Sequence, residues 1–194
     1  MRIAFFSNSR LGLPAFESLA RQGLIAGLCV PNVSDDDKDR LRMLAQQFSI
    51  PKLEASKESF DADVQSWLRD IQADVAFVLT WPFKISSEAL AIPQYGFCNF
   101  HFARLPQYRG AEPLFWELAN REANGAVTIH QMDDGWDTGP VLLEKPVPIS
   151  PNDTHGMHLT KLSLLAPAMA LDLVNALKAG TLCLLYTSPS PRDA

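Results

Sequence analysis

Cysteine is scarce: Cys29, Cys98 and Cys183 are odd in number and widely spaced, which gives neither a disulfide framework nor a zinc-ligand pattern. A reducing, cytoplasmic compartment is the expectation. Long hydrophobic runs are missing too, since the longest, at residues 75–80 and 182–186, fall far short of the roughly 20 residues that cross a bilayer. No membrane span is predicted. The opening Met1-Arg2-Ile3-Ala4-Phe5-Phe6 passes straight into Ser7-Asn8-Ser9, too short an apolar stretch for a secretory signal and without a small-residue cleavage site. Basic clusters are absent: 17 Lys and Arg stand against 22 Asp and Glu, for a net charge of -5. A sequence-independent grip on phosphates has no electrostatic source, so nucleic acid is disfavoured as a partner. Glycine is missing where a dinucleotide-binding turn needs it, because Phe6-Ser7-Asn8-Ser9-Arg10-Leu11-Gly12 contains only Gly12. The backbone there cannot approach a pyrophosphate closely, which argues against NAD or a flavin.

What remains is globular in length and composition, at 194 residues and 47% hydrophobic. Short β-branched or aromatic runs alternate with amphipathic stretches through the first half, the pattern of an α/β domain built on a parallel sheet. Strands are predicted at residues 2–6, 24–30, 51–53 and 74–79, with helices at 14–22, 39–48 and 59–71. The second half has strands at 96–101, 126–132 and 141–148. A helix from 112 or 113 to 121 and a long closing helix at 154–179, interrupted by Pro167, complete it. Asp153-Thr154 reads as the N-cap of that last helix, and Gly180 as its stop. From about Leu182 the sequence Leu-Cys-Leu-Leu-Tyr-Thr-Ser-Pro-Ser-Pro-Arg-Asp-Ala follows no preceding period. It reads either as a disordered terminus or as translated adapter sequence at the end of a truncated reading frame. The domain assignment is therefore residues 1–180 plus an atypical tail at 181–194.

The chemistry concentrates in Asn99-Phe100-His101-Phe102-Ala103-Arg104-Leu105-Pro106-Gln107-Tyr108-Arg109-Gly110-Ala111-Glu112-Pro113. On a strand ending near residue 101, period two puts Asn99 and His101 on one face. An amide can donate to a developing oxyanion, and an imidazole can donate or accept a proton, which suits acyl transfer. Asp137, in Met132-Asp133-Asp134-Gly135-Trp136-Asp137-Thr138-Gly139, is the best candidate to orient that imidazole. The same residues also fit a satisfied strand-end pair. Asp133 and Asp134 fit either an acid–base pair or a turn. His155 and His158 lie three apart, but no metal site is expected there, because no further ligand is evident.

The stretch 99–113 resembles the N-x-H-x-S-L-L-P-x-Y-R-G-x-x-P signature of the formyltransferases that use 10-formyltetrahydrofolate. Val127-Thr128-Ile129 and Asp134-Gly135-Trp136-Asp137-Thr138-Gly139 are similar to that family's G-V-T and D-x-G-(L/I)-D-T-G segments. The likeness runs over about residues 1–178 and is nearer to the methionyl-tRNA and sugar-nucleotide branch, which carries Y-R-G, than to the glycinamide ribonucleotide branch. It implies a Rossmann-like α/β fold, with a mostly parallel central sheet flanked by helices. It implies Asn99, His101 and Asp137 as a catalytic triad, with protonated His101 and Asn99 stabilising the oxyanion. It implies 10-formyltetrahydrofolate as cosubstrate, held by the loop Trp81, Pro82, Phe83, Lys84 and Ile85 and by Asp133, Asp134, Gly135 and Trp136. Acceptor contacts are expected from Ser7, Asn8, Arg10, Arg104, Tyr108, Arg109 and Gly110.

Two departures bear on the acceptor. Ala103-Arg104-Leu105-Pro106 replaces the family's Ser-Leu-Leu-Pro, trading a hydroxyl for a guanidinium. Ser34-Asp35-Asp36-Asp37-Lys38-Asp39-Arg40 stands where the tRNA-specific branch has a basic loop, and acidic charge there repels a tRNA stem. Trp116 and His130 are more like those of sugar or other small-amine formyltransferases. The expectation is formyl transfer to a primary amine of a small acceptor, an amino sugar nucleotide being one class. Its rivals are methionyl-tRNA formylation, hydrolysis of the formylfolate, and a catalytically silent folate-binding module. A separate C-terminal domain is expected to be missing from this chain.

Overall fold

The computed structural model describes residues 1–182; the tail assignment beyond that point, Cys183 included, lies outside the described residues. Among the described residues, seven strands, mostly parallel, and flanking helices give the expected α/β class. The described residues form two compact units, one spanning Met1–Cys98 and the other beginning at Asn99.

The first unit is a run of alternating strands and helices. β1 (Ile3–Ser7) pairs in parallel with β2 (Ile25–Pro31) on one side and β4 (Val75–Leu79) on the other, and β3 (Lys52–Ala55) pairs in parallel with β2. β1 and β4 are buried at every position, as their unbroken apolar runs require of strands covered on both faces. Helix α1 (Leu13–Arg21) turns Phe16, Leu19 and Ala20 inward, with Pro14 in its first turn. Helix α2 (Asp36–Gln47) starts three residues earlier than the apolar spacing suggests, because the Asp35 carboxylate accepts the Lys38 N–H as N-cap and three acidic residues occupy the first turn. Helix α3 (Phe60–Asp70) buries Val64 and Leu68, and α4 (Ser87–Leu90) is a single turn capped by the Ser86 hydroxyl that no periodicity announces.

The second unit starts at the end of β5 (Phe97–His101), whose Phe97, Cys98, Phe100 and His101 are buried. Helix α5 (Pro113–Ala119) is followed by β6 (Asn124–Gln131), which pairs antiparallel with β7 (Val141–Pro148), so this half departs from the parallel pattern of the first. The closing helix α6 (His155–Ala179) is capped by Thr154, whose hydroxyl accepts the Met157 N–H, and ends at left-handed Gly180. By length and composition α6 could cross a membrane, a property its interruptions by Lys161 and Asp172 hide from a search for unbroken runs. Its apolar stripe of Leu162, Ala166, Met169, Ala170, Leu173 and Leu177 is buried within this unit instead, and α6 packs on α5, β6 and β7.

Phe77, fully buried on the central strand β4, tests the core of the first unit. Phe77→Ala should lower unfolding free energy by about 3–5 kcal/mol, read as a shift in denaturant midpoint.

Candidate active site

Three residues separated along the chain meet on one carboxylate. His101 closes β5, and its Nδ1 lies 3.6 Å from Asp137 Oδ2. Asn99, two residues earlier on the same strand face, donates its Nδ2 to Asp137 Oδ1 at 3.2 Å. The Gly110 N–H donates to Asp137 Oδ2 at 2.9 Å, and Arg109 Nε donates to the Asp137 carbonyl at 2.9 Å. Asp137 itself sits at φ 53, a left-handed conformation that an Asp tolerates better than most residues. The turn that presents it is built locally: Asp133 Oδ1 accepts both the Gly135 N–H at 3.0 Å and the Thr138 hydroxyl at 2.6 Å. Asp133 is thus a turn former, the structural alternative of the two left open by the sequence. Gly139 has no substitute, since a Cβ there would lie 1.8 Å from the Gln131 carbonyl oxygen.

A fourth side chain joins the group. His130 Nε2 lies 3.3 Å from Asp137 Oδ1 and 3.0 Å from Asn99 Nδ2, and its Nδ1 is 3.1 Å from the Gln131 carbonyl. Motif spacing gave His130 no place in the triad. The available signal was its position two residues from Thr128 on β6, which sets both on one strand face.

Electrostatics divide the roles. Burial pushes the Asp137 carboxyl up, yet the hydrogen bond from His130, the charge of His101 and the Gly110 N–H outweigh it and hold Asp137 down at about 2. Burial also lowers His101 from its ordinary value, against the opposing pull of Asp137 and of the Tyr108 carbonyl, which Nε2 meets at 2.5 Å. Burial thus holds His101 toward its neutral form, the form suited to taking a proton.

The remaining expected contacts are scattered. Of the residues assigned to an acceptor, Tyr108 donates its hydroxyl to Glu122 at 2.6 Å, and Arg104 Nε lies 3.6 Å from Glu144. Ser7 is fully buried with its hydroxyl donating to the Ser9 carbonyl, which places it inside its turn, whereas Asn8 is half-buried and Arg10 exposed. In the first unit the loops after β1 and β4 are joined at the carboxyl ends of adjacent strands, through Asn8 N–H to the Thr80 carbonyl at 3.1 Å and Ser9 to Thr80 at 2.9 Å. Of the expected folate loop, Trp81 and Phe83 pack with Phe60 at ring separations of 5.4 Å, Ile85 is buried, and Pro82 and Lys84 are exposed. Trp81 Nε1 is buried without a hydrogen-bond partner, a donor available to a ligand that reaches it. From the other expected folate segment, Asp134 and Gly135 are exposed, and so is Trp136 at 64%. His155 is exposed and His158 buried, so the two do not share a metal; His158 meets a carboxylate that its own neighbourhood in sequence does not contain. No cluster of metal-ligating side chains occurs among the described residues.

Residues 1–171 match the formyl transferase family. The chain belongs to that family. It is 33% identical over 202 residues to the methionyl-tRNA formyltransferase of Deinococcus radiodurans, an alignment covering 99% of this chain and 60% of that protein. The chain therefore spans about three fifths of the length of the curated relatives it matches. Among solved structures it is similar to glycinamide ribonucleotide transformylase 1 from Symbiobacterium toebii, with a TM-score of 0.82 at 20% identity over 98% of this chain and 94% of that one. It is also similar to WlaRD, a sugar 3N-formyl transferase crystallised in the presence of dTDP and 5-N-formyl-THF, with a TM-score of 0.73 at 17% identity, covering 100% of this chain and 71% of that one. These structures share the fold of the formyltransferase-family chain.

The depressed Asp137 carboxyl makes a linkage prediction. Its folded value, about 2, lies below the 3.8 of an unperturbed Asp, so it contributes stability that is fully present above about pH 4 and is lost as pH falls through 2. The contribution is about 2 kcal/mol. Asp137→Asn should remove that part of the acid dependence, read by thermal unfolding across the same window. His101, whose folded value is lowered, acts in the same direction at higher pH, its contribution present above its ordinary 6.5 and lost as pH falls below it.

Proposed function

We propose that the chain transfers a formyl group from 10-formyltetrahydrofolate to a primary amine. The observation that carries this reading is the convergence of Asn99 and His101 on the ionised carboxylate of Asp137. The amine nitrogen attacks the formyl carbon, and its new C–N bond leaves a negative charge on the formyl oxygen, to which the Asn99 amide donates once it turns from its present partners. Neutral His101 takes the proton that the attacking nitrogen sheds, and Asp137 stabilises the imidazolium so formed. The imidazolium returns that proton to the folate N10 as the C–N10 bond breaks, giving a formamide and tetrahydrofolate. For this, Nε2 leaves the Tyr108 carbonyl, the neutral ring carries its hydrogen on Nδ1 toward Asp137, and the bare Nε2 accepts from the incoming amine. The family residues at Trp81, Pro82, Phe83, Lys84 and Ile85 and at Asp133–Trp136 are proposed as pterin contacts, supported by the unpartnered Trp81 Nε1.

The proposed acceptor is a small amine, an amino sugar nucleotide being the chemical class favoured, with Arg104, Tyr108, Arg109, Gly110, Asn8 and Arg10 as the candidate contacts and Ser7 behind them. Acidic charge at the start of α2 supports this over a tRNA. That support is weaker than the sequence suggests, because Asp35 caps the helix, Asp37 accepts the Arg10 N–H and Asp39 pairs with Arg42. The identity to a methionyl-tRNA formyltransferase favours tRNA as a second reading. The compartment proposed for either reading is the cytoplasm, in keeping with the sparse, widely spaced cysteines.

Tetrahydrofolate release from 10-formyltetrahydrofolate, followed by absorbance, should require an added amine. Asn99→Ala should lower the rate by about a hundredfold to a thousandfold, and His101→Ala by about a hundredfold or more. Wild-type protein inert toward every amine and tRNA offered would sink the proposal, and turnover without any acceptor would turn it into a hydrolase. Release driven by amino sugar nucleotides and not by initiator methionyl-tRNA is the expected outcome; the reverse would overturn the small-acceptor reading.

A further inference from the structure

A second pair of ionisable side chains lies beneath the loop that follows His101. Glu117 on α5 and His158 on α6 are each 0% exposed, and Glu117 Oε2 lies 3.1 Å from His158 Nε2. Space for them is made by Gly125 on β6, where a Cβ would stand 2.5 Å from both groups. Glu117 Oε1 accepts the Arg104 N–H at 3.4 Å. The carbonyl of that same peptide, Ala103 O, accepts the Thr128 hydroxyl at 2.7 Å. The peptide unit between Ala103 and Arg104 is thus gripped at both ends, three residues beyond His101, on the loop that also carries the Tyr108 carbonyl and the Gly110 N–H.

The hydrogen-bonding roles define the charge of the pair. Glu117 faces a backbone N–H, which can only donate, through one oxygen, and an imidazole nitrogen through the other, so it fits as an acceptor-only carboxylate. His158 Nδ1 is buried with no hydrogen-bond partner.

We propose that Glu117, held by His158, is a positioning residue for the site: it fixes the peptide behind His101 and supplies buried negative charge to the surroundings of that imidazole. Among the charges acting on His101, those of Asp137 and Glu117 favour its protonated form and that of His130 opposes it. Around the pair itself stand Tyr108, which feels Glu117 and Glu122, and Asp153, which feels His158 and Lys161. The proposal rests on the role given above to His101, but its principal readout does not.

The test is a histidine-resolved NMR titration of the full chain. In Glu117→Gln, which keeps an acceptor for Arg104 and removes the charge, the His101 titration should move to lower pH, and the acid limb of kcat/KM should follow it. Glu117→Ala, which also frees the peptide, should lower kcat by about tenfold to a hundredfold with KM for the formylfolate unchanged. An unmoved His101 titration in folded Glu117→Gln would overturn the proposal. The double variant Glu117→Gln with His158→Gln provides an uncharged buried pair should the single variant not fold; its His101 curve should also lie below wild type, and coincidence with wild type would overturn the proposal. Failure of both variants to fold would show the pair to be a strut of the fold alone, and would overturn it equally. A wild type without turnover is a separate result, which removes the formyl-transfer reading and leaves the imidazole titration still readable.

Discussion

The half-buried carboxylate of Asp137 is the constraint on which the second unit's chemistry turns. It is ionised although burial opposes ionisation, and it stays so because donors and charge surround it: Asn99 and His130 at one oxygen, the Gly110 N–H at the other, and the His101 ring 3.6 Å from that second oxygen. Removing a single donor does not simply delete one hydrogen bond; it raises the cost of the charge for all the others. The left-handed backbone at Asp137, the Asp133 turn before it and the forced glycine at 139 are local means of delivering that carboxylate to one place. Burying His101 beside it yields a base of reduced affinity for protons whose conjugate acid is nevertheless stabilised at once by a fixed negative neighbour.

Much of this was legible in order but not in arrangement. The buried parallel strands, the amphipathic helices and the N-cap at Thr154 follow from period and residue type, and the structure has them within a few residues. Boundaries shifted where polar side chains, rather than apolar spacing, decide: α2 begins early because Asp35 caps it, and α4 exists because Ser86 does. Asn99 and His101 were readable as neighbours from strand geometry alone. Asp137 needed the family motif, since nothing in local period links residue 137 to residue 101.

What the sequence concealed were partnerships between distant buried polar groups. His130 could have been found by following the face of β6 from Thr128. Glu117 and His158 could not: each sits amid ordinary helical residues, and 41 positions separate them. The expectation that His158 lacked a carboxylate was drawn from its sequence neighbours, and tertiary packing of α5 on α6 supplied one. Polar residues buried in this way carry no periodic signature, because they replace single apolar positions without disturbing the pattern around them.

Strand β6 has a consequence beyond its pairing with β7. Thr128 and His130 project from one face, the first holding the loop after His101 and the second touching Asp137 and Asn99, while Gly125 gives room to the Glu117–His158 pair. These tasks are indexed to a two-residue repeat, and loss or gain of one residue within the strand would exchange its faces. Length variation should therefore be admitted in the turns at either end of β6 and refused inside it, making this strand the ruler against which insertions and deletions in the second unit are judged.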